Sequence, residues 1–207
     1  MSRISVIVVA YNVCISSIPV LKAAESSPSV NQIIICDNST DCRQNESLSH
    51  GSAIEYVPMN GNKGLAAAYQ EGVRHSNGDI VCLFDDDTAV GEDYFAAVAS
   101  LADSEKTWDV ALPLVMSGST VLSPCMFSGF KARAFRDSES VMETSSLSGI
   151  NSGMAVKRSL FDYVQHDRSL FLDLIDHQFI SDAKRTGAHV VYLSGPTLNQ
   201  DYSLESD

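Results

Sequence analysis

The chain has no apolar run near the roughly 20 residues that a bilayer-spanning helix requires. It is also short of positive charge: 14 lysines and arginines stand against 26 aspartates and glutamates, for a net charge of −12. The first absence argues against a membrane span. The second argues against nucleic acid as a partner, because phosphate backbones demand basic surface, and it gives no support for docking on an anionic membrane face. The five cysteines, Cys14, Cys36, Cys42, Cys82 and Cys125, form no CxxC pair and show no metal-like spacing. Cys36 and Cys82 fall inside apolar runs, where a thiol is a small hydrophobe, so the expected setting is reducing and cytoplasmic. The opening stretch MSRISVIVVAYN turns polar too soon for a secretory signal and reads as a first strand. His50, His75, His166, His177 and His189 are scattered without ligand spacing, no nucleophile elbow is present, and Met154 reads as core.

What is present suits a single α/β domain over residues 1–207, with ample length for a core. Ile4 to Ala10 is a continuous β-branched run, the mark of a strand buried on both faces. A helix is expected from Ser16 or Ser17, with Pro19 in its first turn. NQIIIC, AIEYVP and DIVCLF read as further strands, and Trp108 to Val115 as another. Helices are expected over about 65–76 and 91–103. Strand and helix alternate at short intervals, which argues a largely parallel sheet flanked by helices. From Met116 to Gly149 the sequence is Ser-rich and weakly periodic, and no element can be placed. Order returns with SGINSGMAVKRSLF, a helix over about 173–186 stopped by Gly187, and a strand HVVYL.

In an open parallel sheet, ligands bind beyond the carboxyl ends of the strands. Three expected strands end in polar residues: Tyr11-Asn12, Asp37-Asn38 and Asp85-Asp86-Asp87. Those loops should converge on one crevice. Alternation along an extended segment would put Asp85 and Asp87 on one side and Asp86 on the other. Two hard oxygen donors on one side suit Mg2+ or Mn2+ bridging to phosphates. A solvated acidic turn before the next helix explains the same three residues, and from them alone both readings stand.

The segment NGNKGLAAAYQEGVRHSNGDIVCLFDDDT resembles a signature of family-2 glycosyltransferases with the GT-A fold, especially the branch of bacterial rhamnosyltransferases. Asn62, Gly64, Ala66, Ala68 and Gly72 match, and Gln70 stands where a second Asn is usual. VIVVAYN, CDNST, SGMAVKRSLF and LFLDLIDHQF are similar to further family segments in the same order. The resemblance implies a nucleotide-binding part over about 1–115 and an acceptor and catalytic part over about 116–207. It implies that Tyr11, Asn12, Asp37, Asn62, Gly64, Asp85 and Asp86 contact the nucleotide-sugar, with Gly64 allowing close backbone approach and Lys63 in reach of a phosphate. Asp87 and Asp85 would hold Mn2+ or Mg2+, Ser152 and Gly153 would line the acceptor side, and Asp176 would be the catalytic base. Asp173, one turn earlier, reads as a first-turn acid favouring the helix dipole.

The implied activity is inverting, metal-dependent transfer from dTDP-rhamnose or a UDP-sugar to a glycan or lipid-linked glycan in surface polysaccharide synthesis. The expected location is cytoplasmic, or peripheral at the inner membrane face. The chain departs from the pattern at Gln178, Asp182 and Gln200, the last standing where His is frequent, and relatives usually continue past the position of Asp207. Those departures favour an alternative, a catalytically weak GT-A domain that binds nucleotide or a partner protein supplying the missing elements. A nucleotidyltransferase lacks support, because YNVCISSIP is not the Gly- and Arg/Lys-rich loop it would carry.

Overall fold

The computed structural model describes residues 2–41, 45–46, 54–128, 131–134, 146–172 and 174–200. In chain order, β1 (Ile4–Ala10), α1 (Val20–Ser26), β2 (Val30–Asp37), β3 (Ile54–Pro58), α2 (Leu65–His75), β4 (Ile80–Asp85), β5 (Thr88–Ala89) and α3 (Glu92–Ala102) build the first half. Then come β6 (Val110–Ser117), β7 (Thr120–Ser123), β8 (Cys125–Ser128), β9 (Lys131–Ala134), β10 (Leu147–Ser148), β11 (Met154–Lys157), α4 (Ile175–Arg185) and β12 (Val190–Gln200).

The β-branched run of β1 is buried at every position and lies between β2 and β4, parallel to both. Among the described residues the main sheet runs β3-β2-β1-β4-β11-β6-β12-β5, with β7 on β6. The expected parallel sheet holds for β3-β2-β1-β4 and for β6 with β12. Between those blocks β11 is antiparallel to both β4 and β6. Side chains alternate along β1, so Ile4, Val6, Val8 and Ala10 join one core with α1 and α3. Ile7 and Val9 join the other with α2 and α4. Gly72 lets α2 lie directly on β1, since a Cβ there would stand 2.4 Å from Ile7 Cγ2.

Three expectations change. The residue before a proline is driven out of the α region, and Ile18 is extended at φ −72°, ψ 115°. The first helix is therefore split into a 3-10 turn, Ile15–Ser17, and α1, with Pro19 at its N-cap. The unplaced stretch contains short strands: β7, and the small antiparallel sheet β10-β8-β9. Runs of two to four residues are too short to display a period. The last strand continues well past HVVYL; its register on β6 shifts between Leu193 and Thr197 and it then pairs with β5, opposing Gln200 to Thr88. Gly195, at φ +115°, and Pro196 interrupt the apolar pattern there and hide the continuation. Of the expected features, most of the loop Thr40 to Gly51 and Asp173 lie outside the described residues.

Candidate active site

Parallel register brings the strand ends to one edge: Ala10 opposes Asp37, and Val9 opposes Asp85. Beyond that edge opens a cleft of about 410 Å3 lined by Val9, Tyr11, Asn38, Asn62, Leu65, Asp85, Asp86, Asp87, Phe171, Leu172 and Gln200. A larger cleft of about 600 Å3 lies behind α2, among Arg74, Arg158 and Arg168. It contains none of the three polar strand ends, so the chemistry belongs to the smaller one.

Asp85 is the last residue of β4, and Asp86 and Asp87 form the turn that follows. Asp85 is the best supported. Its Oδ1 accepts the Tyr69 hydroxyl at 2.7 Å, and its Oδ2 accepts the Ser152 hydroxyl at 2.6 Å and the Gln200 amide at 3.4 Å. Asp86 Oδ2 accepts the Tyr11 N–H at 2.7 Å, yet burial holds its pKa above the usual carboxylate range, with Asp85 adding to the rise. Asp87 is the most strained of the three carboxylates electrostatically. Burial, then the charges of Asp85 and Asp86, push its pKa up to about 6, offset in part by the Gln200 amide. Asp87 Oδ1 is sealed from solvent with no hydrogen-bond partner, and so is Gln200 Oε1.

Those two oxygens decide whether a cation fits. Among the described residues no three His, Cys, Asp or Glu side chains converge as a metal cage, and no Lys or Arg lines the cleft. An anion and an amide carbonyl are hard donors, suited to a cation that completes its shell with phosphate oxygens and water, as Mg2+ and Mn2+ do. The donor set therefore fits such an ion.

The other expected residues divide. Tyr11, 47% exposed, and Asn62 line the cleft. Asn12, in the left-handed region at φ 56°, donates its N–H to Ser39 Oγ at 2.7 Å and so shapes the loop without lining the cleft. Asp37 is fully buried. Its oxygens accept from Ser39 N–H (3.0 Å), Asn45 (2.8 Å) and Tyr56 (2.9 Å), and Asn38 is the residue of that strand end that reaches the cleft. Asn62 Oδ1 accepts from the Asn38 amide and the Gly64 N–H, each at 3.0 Å, while the Lys63 N–H donates to Asn38 Oδ1 at 2.7 Å. Gly64, at φ +85°, admits Phe171: a Cβ there would lie 2.9 Å from its ring, and the Leu65 N–H donates to the Phe171 carbonyl at 2.9 Å. Gly153 turns inward, its carbonyl accepting the Tyr94 hydroxyl at 2.8 Å.

Asp176 stands in the first turn of α4 and does not itself line the cleft. Burial raises its pKa, the neighbouring His177 draws it down, and the charge of Asp85 raises it further. Its Oδ1 accepts the His177 N–H at 2.7 Å. The two departures on α4 satisfy each other, the Gln178 amide donating to Asp182 at 2.9 Å. Sequence reasoning missed Tyr69, Phe171 and Leu172, and at the second strand end it favoured Asp37 over Asn38. Tyr69 had one visible signal: it is the aromatic residue that follows the small-residue run AAA at 66–68. Phe171, 58% exposed, and Leu172, 61% exposed, look in sequence like core.

Residues 5–164 match the family model described as glycosyl transferase family 2. The chain belongs to that family. No curated protein matches it in sequence. Among solved structures it is similar to GalNAc-T7 with UDP, GalNAc and Mn2+ (TM-score 0.73, 15% identity, 99% of this chain and 44% of that one). It is likewise similar to residues 1–349 of TarS from S. aureus (0.67, 16%, 96% and 60%). A third is the mannosyltransferase PcManGT from Pyrobaculum calidifontis in complex with GDP-Man and Mn2+ (0.69, 19%, 99% and 58%). At these identities the likeness shows the GT-A fold, and the chain spans about half the length of those structures. No helix among the described residues is long and apolar enough to cross a membrane.

Proposed function

We propose that this family-2 glycosyltransferase is a metal-dependent, inverting enzyme that uses a nucleotide-diphosphate sugar. By resemblance to the rhamnosyltransferase-like branch the donor is dTDP-rhamnose, with a UDP-sugar next, and the acceptor is a glycan or lipid-linked glycan of a surface polysaccharide. The observation that carries the reading is Asp87. Its Oδ1 is buried without a partner in an acidic cleft, a costly arrangement that a ligand-borne positive charge offsets.

Asp87 and Gln200 would hold a Mn2+ or Mg2+ ion, which when bound would supply positive charge to the departing diphosphate. Asp85, held by Tyr69, Ser152 and Gln200, would help to hold the ribose and the ion. Tyr11, Asn62 and Asp86 border the nucleotide, while Asn12, Asp37 and Gly64 shape the loops that carry those contacts. Ser152 acts on the acceptor side through Asp85, and Gly153 by its turn. Asp176 accepts the proton of the acceptor hydroxyl as that oxygen attacks the anomeric carbon from the face opposite the nucleotide. One base suffices, and no covalent intermediate is needed. The raised pKa of Asp176 makes it a stronger base than an exposed carboxylate.

The test is a panel of nucleotide sugars screened for thermal stabilisation with and without Mn2+. A true donor at 100 times its dissociation constant adds about 2.7 kcal/mol, and that gain should need the metal. Absence of stabilisation by any nucleotide sugar contradicts the reading. Donor binding with no transfer, even with candidate partner proteins added, favours the nucleotide- or partner-binding module.

A further inference from the structure

His166 is 2% exposed, and neither ring nitrogen has a hydrogen-bond partner. A phenylalanine would fill such a place without the penalty of an unpaired buried polar group, so the imidazole calls for an explanation. The ring is sandwiched: Phe179 stacks at 4.6 Å and 15°, Tyr69 at 5.5 Å and 24°, and Phe161 at 6.4 Å and 30°. The His166 carbonyl accepts the amide of Gln70, the residue after Tyr69. Tyr69 is the donor to Asp85 Oδ1. Phe179 follows Asp176 by three residues on α4, close to one helical turn. One imidazole thus sits between the ring whose hydroxyl holds Asp85 and the helix that carries Asp176.

We infer that His166 is a positioning residue that keeps the Tyr69–Asp85 arm and the Asp176 helix in register, and that a proton on its ring releases both together. The inference rests on the reading of Asp176 as the base, although its structural half stands apart from that role. The surroundings make the release acid-specific. Tyr69 and Gln70 face the residue from α2, Phe161 from the 3-10 turn Arg158–Asp162, and Phe179 from α4. None of these is charged, and burial alone lowers the imidazole pKa from 6.5 to about 4. Once the stack opens, the ring titrates near its ordinary value, so acid shifts the balance towards the open form. Between pH 7.5 and pH 5 that linkage favours opening by about 30-fold.

Native-state hydrogen exchange, corrected for intrinsic rates, tests this in the protein as it stands. Amides of α4 and of the Tyr69 turn of α2 should show opening constants that rise together, by about 30-fold, from pH 7.5 to pH 5. In His166→Phe, and in His166→Leu should the larger ring not be accommodated, the rise should vanish. Asp87 and Asp176 titrate in every variant, so the difference from the parent isolates residue 166. Unchanged pH dependence in both variants overturns the proposal, as does opening of one element alone. Opening of α4 only together with β1 also overturns it, because His166 is then a determinant of global stability and nothing more. Transfer assays at saturating donor and metal add the functional arm: at the pH where the measured opening constant of the parent approaches one, the parent should lose about half its activity relative to His166→Phe. Full transfer at a pH where the open form is measured to predominate leaves the register intact and refutes the role of Asp176.

Discussion

Tyr69 donates its hydroxyl to Asp85 Oδ1 at 2.7 Å from a fully buried ring. Burial and then the charge of Asp85 raise the phenol pKa well above its ordinary value, so the donor stays protonated at any working pH. A neutral helix side chain thereby supports one of three crowded carboxylates. Tyr69→Phe keeps the packing and strands Asp85 Oδ1. Hydrogen bonds to charged groups are worth about 1.5–3 kcal/mol, so chemical denaturation should report a loss of that size. A loss under about 0.5 kcal/mol, the range of a neutral surface change, contradicts the contact.

Asp176→Asn keeps size and shape and removes the proton acceptor. Transfer should fall by roughly 10²–10⁴-fold with donor binding retained. Asp182→Asn, which disturbs only the Gln178 and Arg185 contacts on the same helix, is the control and should leave transfer near the parental rate. Near-parental transfer in Asp176→Asn removes this residue from the mechanism.

Acid should destabilise the protein through His166. Its folded pKa of about 4 lies below the unfolded 6.5, so the unfolded state binds more protons between those values. The contribution is fully present above pH 6.5 and is lost as pH falls towards 4, amounting to roughly 3 kcal/mol. Urea unfolding of the parent and of His166→Phe across that range measures it: the difference between the two should be constant above pH 6.5 and should shift by roughly 3 kcal/mol in the variant's favour as pH falls towards 4. Parallel curves throughout contradict the burial of a neutral imidazole.

Gly72→Ala sets two effects against each other. Alanine is favoured over glycine within a helix by about 1 kcal/mol, but the new methyl would meet Ile7 Cγ2 at 2.4 Å. Overpacking costs about 1–3 kcal/mol, and both the helix and β1 are fixed by the sheet, so the clash should win. A stabilised variant means that α2 lies farther from β1.

The residues show why parts of this molecule are readable in sequence and parts are not. Ile4–Ala10 and Ile80–Asp85 announce themselves, because a strand buried on both faces must be continuously apolar, and parallel register then carries Tyr11, Asn38 and Asp86 to one edge. Local chemistry ends there. Tyr69 and Ser152 reach Asp85 across 16 and 67 residues of chain, contacts that no periodicity encodes. Gln200 arrives through a strand whose register shifts after Leu193. Asp37 looks in sequence like a free strand-end acid, and only the packing shows its oxygens turned to Ser39, Asn45 and Tyr56. His166 reads as one of five scattered histidines until three aromatic rings close around it.

The central claim is that a divalent cation and a nucleoside diphosphate together complete the cleft at Asp87. Calorimetric titration of UDP, dTDP and GDP, each with Mn2+ and again with EDTA, tests it most directly. For the nucleotide of the true donor, affinity should fall on the order of 100-fold in EDTA, about 2.7 kcal/mol. Asp87→Asn should bind equally weakly in both buffers while being more thermostable than the metal-free parent, because it removes a buried, repelled charge. Tight binding that ignores EDTA, or a metal dependence that survives Asp87→Asn, would contradict the account.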